Sequence, residues 1–151
     1  KVCDAVPLCE GIIQTVEGIK QTQAALSFET TLPSLEIETD IFRLPQVLIN
    51  ILVNATKFTK EGSIILRLEQ NEEGMAQFSV TDTGCGIPLE KQATIFNRFE
   101  RVDEKSQGTG IGLSICQFII DQLGGNIWID PDYTNGSRFI FTHPSKQAGK
   151  A

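Results

Sequence analysis

Three polar side chains recur at helical spacing in the middle of the sequence. Asn50, Asn54 and Lys57 lie four and then three positions apart, so a helix would project all three from one side. Two amide oxygens suit a Mg²⁺ ion whose other ligands are phosphate and water, and the lysine ammonium suits phosphate itself. A solvated polar face of an amphipathic helix is the common alternative, and the spacing alone leaves it open.

A second group of residues combines an acid with glycines. The sequence DTGCGIP at 82–88 follows an alternating apolar segment, so Asp82 would end a strand and lie at the floor of a pocket. A carboxylate only accepts hydrogen bonds, which suits the exocyclic amine of adenine. Gly84 and Gly86 would let a flat ring approach the backbone, and Ile87 would supply an apolar wall. A simple turn is the common alternative for this motif.

An aromatic pair and a charged stretch follow the acid. Phe96 and Phe99 are three positions apart and are expected to anchor the chain in the core. The stretch ERVDEKSQ at 100–107 is either a solvated loop or a lid between two hinges. Within it, Arg101 is placed where a bidentate contact to phosphate is available.

A second glycine-rich segment leads directly into a predicted helix. Backbone amides at a helix N-terminus bind phosphate, and the helix dipole favours the negative charge. No strand precedes this segment, which disfavours a dinucleotide site of the Rossmann type. The first glycine group would therefore admit the base and the second would receive the phosphates. The residues of the second group are Gly108, Thr109, Gly110, Ile111 and Gly112.

The elements that must position these residues follow from apolar periodicity. Asp40 can cap a helix, and Pro45 would kink or delay the first turn of that helix. The order of the elements predicts an α+β fold, a two-layer sandwich with mostly antiparallel strands and helices on one face. The predicted helices lie at 7–20, 41–58 and 112–123. The predicted strands lie at 26–31 and 35–38, around a Pro33-Ser34 turn, and at 63–70, 75–81, 126–130 and 137–143.

Composition limits the classes of function. The chain has 151 residues, 40% of them hydrophobic, which fits one domain at 1–144 followed by a tail at 145–151. A net charge of −6 argues against general nucleic-acid binding, so an anionic ligand must be held by local groups. The sequence contains no apolar run of membrane-spanning length, and the spacing of its four cysteines fits no zinc pattern. We expect reduced thiols in a cytoplasmic domain that belongs to a longer protein, because the chain begins with Lys1.

The four motifs occur together and in order, and in combination they resemble the catalytic ATP-binding domain of sensor histidine kinases, a member of the GHKL superfamily. RLPQVLINILVNATKFT resembles the N box of that family, DTGCGI the G1 box, IFNRFER the F box and GTGIGL the G2 box. The ending LGGNIWID…GSRFIFT resembles its closing hairpin. The resemblance covers about residues 7–144 and implies the Bergerat fold, a mixed sheet of about five strands with three helices on one face.

The resemblance implies ATP and Mg²⁺ as ligands and assigns the residues around the phosphates. By this resemblance Asn54 binds Mg²⁺, and Asn50 beside it contacts phosphate or the metal. Lys57 and Arg101 approach the phosphates, while residues 108–112 wrap the phosphate tail. These roles agree with the chemistry expected from the side chains themselves.

The same resemblance implies the groups around the base. Asp82 takes the adenine amine, and Gly86 lines the base directly or through water. Phe58 borders the nucleotide and Leu113 packs near the base. The segment 102–107 is short for a lid in this family, which leaves the order of the lid open.

The chemistry implied is phosphoryl transfer to a histidine rather than hydrolysis. ATP-hydrolysing relatives resemble each other in placing glutamate where this sequence has Asn50, and an amide cannot act as a general base toward water. The single histidine, His143, lies in the last predicted strand and is expected to be structural. A GHKL-type ATPase and a nucleotide-sensing regulatory module remain the alternatives.

The resemblance also implies partners. The phosphoacceptor histidine would lie on a dimerisation helix domain of the same parent protein, and a response-regulator receiver domain would accept the phosphate afterwards. We expect an isolated monomer without direct membrane contact, with a membrane anchor elsewhere in the parent left open.

Overall fold

The computed structural model describes residues 1–20, 22–84 and 112–145. Three helices lie in this part of the chain: α1 (Ala5–Ile19), α2 (Arg43–Phe58) and α3 (Gly112–Leu123). Seven strands accompany them. These are β1 (Val2–Asp4), β2 (Ala25–Thr30), β3 (Glu36–Glu38), β4 (Ser63–Gln70), β5 (Ala76–Asp82), β6 (Ile127–Ile129) and β7 (Ser137–His143).

Helix α1 begins two residues before the predicted start. Asp4 caps it, because the Asp4 carboxylate accepts a hydrogen bond from the backbone N–H of Val6 at 3.0 Å. Pro7 therefore occupies the third helical position, where the missing N–H would have no partner within the helix. The buried side of α1 consists of Ala5, Cys9, Ile12 and Val16.

Helix α2 begins at Arg43, two residues after the predicted start, and Phe42 rather than Asp40 occupies its N-cap position, although Asp40 still binds the helix start. The Asp40 carboxylate accepts from the N–H groups of Phe42 at 2.9 Å and Arg43 at 3.1 Å, so it satisfies two donors at the helix start. Pro45 is the third residue of the helix, where a missing donor costs little, and it starts no break in α2. The apolar stripe predicted for this helix is the buried one: Leu44, Val47, Leu48, Ile51, Leu52 and Ala55.

The main sheet has five strands in the order β2-β4-β5-β7-β6. Strand β2 runs parallel to β4, and the remaining neighbours are antiparallel, which makes the sheet mixed. The register places Leu66 opposite Val80 and Val80 opposite Phe139. The predicted α+β two-layer sandwich with a mixed five-stranded sheet is confirmed.

A second, two-stranded sheet was not predicted. Strand β1 pairs with β3, with Val2 opposite Glu38 and Asp4 opposite Glu36. Consequently β2 and β3, which flank the Pro33-Ser34 turn, belong to different sheets. The pairing of β1 with β3 joins segments that are distant in the chain, and no local pattern encodes such a contact.

The core lies between the five-stranded sheet and the helices. Helix α1 packs on β2 and β4, α2 on β4 and β5, and α3 on β6 and β7. Phe78 and Phe141 stack between neighbouring strands with ring centroids 4.7 Å apart. The opposite face of the sheet carries polar side chains such as Arg67 and Arg138, which line an open cavity with a volume of about 550 Å³.

His143 is a structural residue, as predicted for its position. Its side chain is 1% exposed, Nε2 lies 3.0 Å from the Thr39 hydroxyl, and Nδ1 lies 2.7 Å from the Pro144 carbonyl. Burial lowers the pKa of this imidazole. The contact to Thr39 ties the end of β7 to the chain that connects β3 with α2.

Three further predictions concern the state of the cysteine thiols, the C-terminal tail and membrane-spanning segments. Cys3, Cys9 and Cys116 are free thiols. Ser145, the first residue of the expected tail, is buried and donates a hydrogen bond to the Gly74 carbonyl at 2.5 Å. In the residues for which the structure gives positions, none of the helices combines the length and the hydropathy that a bilayer crossing requires.

Candidate functional site

The site centres on Asp82, the last residue of β5. Its side chain is 2% exposed, and Oδ1 accepts hydrogen bonds from the backbone N–H groups of Gly84 at 3.0 Å and Ser137 at 3.1 Å. One donor comes from the turn that follows β5 and the other from the neighbouring strand β7. The carboxylate is therefore held in a fixed orientation on the helix side of the sheet, the side on which Val80 and Phe139 also lie.

The electrostatics of Asp82 reflect this burial. Desolvation raises the pKa of the carboxyl above its ordinary value of 3.8, while the two backbone hydrogen bonds oppose part of the rise. Within the described residues both bonds end on Oδ1, which leaves Oδ2 available to a ligand donor. A buried acceptor of this kind recognises an N–H group such as an exocyclic amine.

Gly84 brings the C-terminal end of α2 against the end of β5. A Cβ atom on Gly84 would lie 2.2 Å from the Phe58 carbonyl oxygen and 2.7 Å from Thr59 Oγ1. The glycine is thus required by a contact within the protein, which is a different reason from the approach of a flat ring expected from the sequence. The contact places the last turn of α2 beside Asp82.

Thr59, directly after α2, carries a buried polar atom. The residue is fully buried, and its Oγ1 has no hydrogen-bond partner among residues 1–20, 22–84 and 112–145. Its carbonyl accepts from the Thr22 hydroxyl, which also lies 2.9 Å from the Lys60 carbonyl. Thr22 therefore secures the segment that follows the helix, and no local sequence pattern indicates this long-range contact.

The predicted site residues of α2 differ in their exposure to solvent. Asn50 and Asn54 are half-buried, Lys57 is exposed and Phe58 is half-buried. The two amides lie one helical turn apart, which is suitable for two oxygen donors directed at one ligand. The roles predicted for the three polar side chains stay predictions.

Asn50 also lies at the contact between α2 and α3. Cys116, one turn into α3, directs its thiol at the Val47 carbonyl, with Sγ and O 3.9 Å apart, and it receives a hydrogen bond from the Asn50 side chain. Burial raises the pKa of the Cys116 thiol to about 12, and the Asn50 bond lowers it by a smaller amount. The start of α3 therefore lies alongside the middle of α2.

Two of the predicted residues of the second glycine group and its helix are described. Gly112 is the first residue of α3, and Leu113 is half-buried and packs against the core. The remaining predicted site residues lie outside the described residues. These are Gly86, Ile87, Arg101, Gly108, Thr109, Gly110 and Ile111.

The connection between β6 and β7 contributes residues that the sequence did not indicate. Ser137 donates its amide to Asp82, and a Cβ on Gly136 would lie 2.0 Å from the Asp82 carbonyl oxygen. Tyr133 donates its hydroxyl to that carbonyl at 3.0 Å. These contacts depend on the register of two strands that are 55 residues apart in the chain, which no local pattern encodes.

The donors available for a metal are amides rather than a cluster of acids. No group of three or more His, Cys, Asp or Glu side chains suited to a metal occurs in the part of the chain that the structure describes. The oxygen chemistry of Asn50 and Asn54 fits a hard cation such as Mg²⁺ whose other ligands are phosphate and water.

Comparisons with known proteins decide the family. Residues 39–147 match the family of histidine kinase-, DNA gyrase B- and HSP90-like ATPases. The chain belongs to this family. Within it, the chain is similar to the catalytic domain of the histidine kinase ThkA, with a TM-score of 0.84 and 36% identity over 95% of this chain and 94% of that one. The family and the fold expected from the four motifs are thereby confirmed.

Two longer relatives place this ATP-binding domain in larger proteins. The sensory kinase SasA of Synechococcus elongatus is 39% identical over 128 residues, which cover 83% of this chain and 33% of SasA. The full-length structure of ShkA in complex with AMPPNP matches with a TM-score of 0.79 and 29% identity, and covers 100% of this chain and 32% of ShkA. The chain spans about a third of the length of these two relatives.

Proposed function

We propose that this domain, at residues 1–144, binds Mg-ATP and donates the γ-phosphate to a histidine on a separate dimerisation helix domain. The observation that carries the proposal is the buried carboxylate of Asp82, fixed by two backbone amides beside the end of a helix that presents two half-buried asparagines. The ShkA relative, whose structure was determined with AMPPNP, supports an adenine nucleotide as ligand.

The adenine end of the site is formed around Asp82. Its Oδ2 accepts the exocyclic amine, because Oδ1 already accepts two backbone donors. Phe58 and Leu113, both half-buried, border the base from α2 and from α3. Gly84 shapes this end through its contact with α2. Gly86 and Ile87 complete the contacts to the base.

The phosphate end is formed around the polar side of α2. Asn54 holds Mg²⁺, and Asn50 contacts phosphate or the metal. Lys57 and Arg101 place positive charge at the phosphates. Backbone amides that precede and begin α3 receive the phosphate tail, since a helix start attracts anions. The contributing residues are Gly108, Thr109, Gly110, Ile111 and Gly112.

Transfer to histidine suits these residues better than hydrolysis. A Mg²⁺ ion held by Asn54 would supply positive charge against the phosphates. The chain itself orients ATP and excludes water, and positioning with electrostatics accounts for most catalysis of phosphoryl transfer. Asn50 bonds the Cys116 thiol and offers an amide, which cannot take a proton from water. A neutral imidazole needs no such base, because it is already nucleophilic.

The partners follow from this chemistry. The acceptor is the phosphoacceptor histidine domain of the same parent protein, and a response-regulator receiver domain then receives the phosphate. His143 is unsuited as acceptor because it is 1% exposed and both ring nitrogens have partners. We propose a cytoplasmic, monomeric domain that relies on the rest of its parent for dimerisation and for any membrane anchor.

A transfer assay tests the proposal. The chain is mixed with labelled Mg-ATP and a histidine-bearing dimerisation domain from the same parent, and acid-labile phosphate is followed on both proteins. We expect label on the helix domain and none on the chain alone. Asn54→Ala should reduce the transfer rate by about a hundredfold, whereas Gln46→Ala on the exposed side of α2 should leave it unchanged.

Other outcomes would favour the alternatives. Steady release of inorganic phosphate without labelled histidine would indicate a GHKL-type ATPase. Tight ATP binding without transfer or release would indicate a nucleotide-sensing module.

A further inference from the structure

Tyr133 closes a set of contacts around the backbone of Asp82. It lies in the connection between β6 and β7, and its hydroxyl donates a hydrogen bond to the Asp82 carbonyl oxygen at 3.0 Å. Asp82 is thus held twice from the same hairpin: Ser137 binds the side chain and Tyr133 binds the main chain. The two bonds restrain both the backbone at residue 82 and the direction of its carboxylate.

The ring of Tyr133 is itself held in place by Arg138. The guanidinium carbon of Arg138 lies 4.4 Å from the centre of the Tyr133 ring, which is a cation–π contact. Arg138 Nε donates to the Thr81 hydroxyl at 3.0 Å, and its Nη1 lies 3.3 Å from Asp130 Oδ2. The guanidinium therefore joins β5 to the hairpin connection on the open face of the sheet, directly behind Asp82.

These contacts form a rigid support on the side of the sheet that faces away from the nucleotide site. Register pairs Thr81 with Arg138 and Asp82 with Ser137, so the open-face contacts and the carboxylate contacts belong to adjacent residue pairs. Successive residues of a strand point to opposite faces, so the side chains of Thr81 and Asp82 lie on opposite sides of β5. Contacts that restrain the Thr81 side chain and the Asp82 carbonyl therefore also restrain the backbone that orients the carboxylate. Tyr133 cannot reach the ligand pocket through the sheet, and it acts through Asp82.

We propose that Tyr133, held by Arg138, is a positioning residue that fixes Asp82 and thereby sets the preference of the site for adenine over other purines. The inference rests on the proposed function, because it assigns Asp82 to the adenine amine. It adds a determinant of base selectivity that lies outside the pocket and outside the four sequence motifs.

Tyr133→Phe is the direct test, because it removes the hydroxyl and keeps the ring on Arg138. Calorimetric titrations of the 151-residue chain with ADP and with IDP, both with Mg²⁺, measure the preference for an amine over a carbonyl at the purine 6-position. We expect ADP affinity to fall about three- to tenfold, as for loss of one hydrogen bond. IDP affinity should change less than twofold, so that the ratio of the two affinities falls.

Two further variants, Arg67→Met and Arg138→Lys, and the melting temperature of each protein separate a specific effect on Asp82 from a general loss of stability. Arg67→Met removes a cation that pairs with Glu29 and Glu69 on the same open face and should change neither affinity. Arg138→Lys keeps the charge, weakens the stacking on Tyr133 and should lower the ADP to IDP ratio in the same direction as Tyr133→Phe.

The outcomes separate this inference from the proposed function. An unchanged ratio in Tyr133→Phe, or equal losses for both nucleotides with a lower melting temperature, would overturn the positioning role while leaving the adenine site in place. A wild-type chain that binds neither nucleotide would overturn the proposed function, and the inference with it.

Discussion

At the scale of single residues, the Asp82 carboxylate is held in one orientation, and its charge is energetically costly to bury. Burial disfavours its charged form, and the amides of Gly84 and Ser137 compensate only in part, so its pKa is raised. A group whose acid pKa is raised on folding loses native-state stability as the pH rises through that pKa, because the unfolded chain releases its proton first. The charge of Asp82 therefore costs native-state stability, and we propose that it is retained because it serves ligand binding.

Asp82→Asn should separate these two contributions. The amide oxygen can still accept from both backbone donors, and the desolvation cost of the charge disappears. We expect the variant to gain stability relative to wild type as the pH rises from 3.8 through the folded pKa to 7, with the gain smallest at the acid end. Thermal melts at pH 4 and pH 7 measure this difference.

Asp121→Asn provides the matched control, because Asp121 is exposed on α3. Its melting temperature should follow that of wild type at both pH values. A stability difference for Asp82→Asn that shrinks with rising pH would contradict the account of a costly buried charge.

At the scale of elements, the site depends on the contact between the end of α2 and the turn after β5. Gly84 permits this contact because it has no Cβ, and the Phe58 carbonyl and Thr59 occupy the space. Asn54 and Phe58 are thereby kept beside Asp82, although they come from different layers of the sandwich. The glycine of the DTG sequence is consequently a packing residue as well as part of a motif.

Gly84→Ala should destabilise the fold, because the added Cβ would lie 2.2 Å from the Phe58 carbonyl oxygen. We expect a loss of at least about 2 kcal/mol in the free energy of unfolding, measured by chemical denaturation. Gly11→Ala is the matched substitution, since a Cβ at Gly11 in α1 meets no atom within 4 Å. It should stabilise the chain by about 0.5–1 kcal/mol. Equal effects of the two substitutions would refute the packing role of Gly84.

The elements that the sequence predicted are those with a long repeating pattern. Ile64, Leu66 and Leu68 alternate along β4, and the stripe of α2 recurs over about three turns, so their buried faces follow from local spacing. Strand β1 was missed because it is defined by its pairing with β3, a contact between segments that are distant in the chain. The amide of Ser137 was missed because its bond to Asp82 requires the register of β5 and β7, a non-local property.

The candidate site shows the same difference between features with a local pattern and features that depend on non-local contacts. The position of Asp82 at a strand end and the placement of Asn50 and Asn54 on one side of a helix could be predicted from strand alternation and from helical spacing. The half-buried state of the two asparagines could not, because the spacing is equally typical of a solvated face. The reason for Gly84 could not, because the sequence gives no information on which backbone approaches it. The functional roles of all these residues stay predictions.

At the scale of the whole molecule, the adenine end and the phosphate end of the proposed site lie on the same face of the mixed sheet. Strand β5 supplies Asp82 from the sheet, while α2 and α3 cover the same face and carry the residues proposed to bind the phosphates. The chain has the extent of the ThkA catalytic domain and about a third of the length of SasA. Nucleotide binding should therefore be a property of this chain alone, whereas transfer requires the partner domain.

The most direct test of the central claim is a calorimetric titration of the chain and of Asp82→Asn with ADP in the presence of Mg²⁺. We expect that wild type binds one ADP and that the variant, still folded, binds at least about tenfold more weakly, since a hydrogen bond to a charged group is lost. Equal affinity of the two proteins for ADP would contradict that claim.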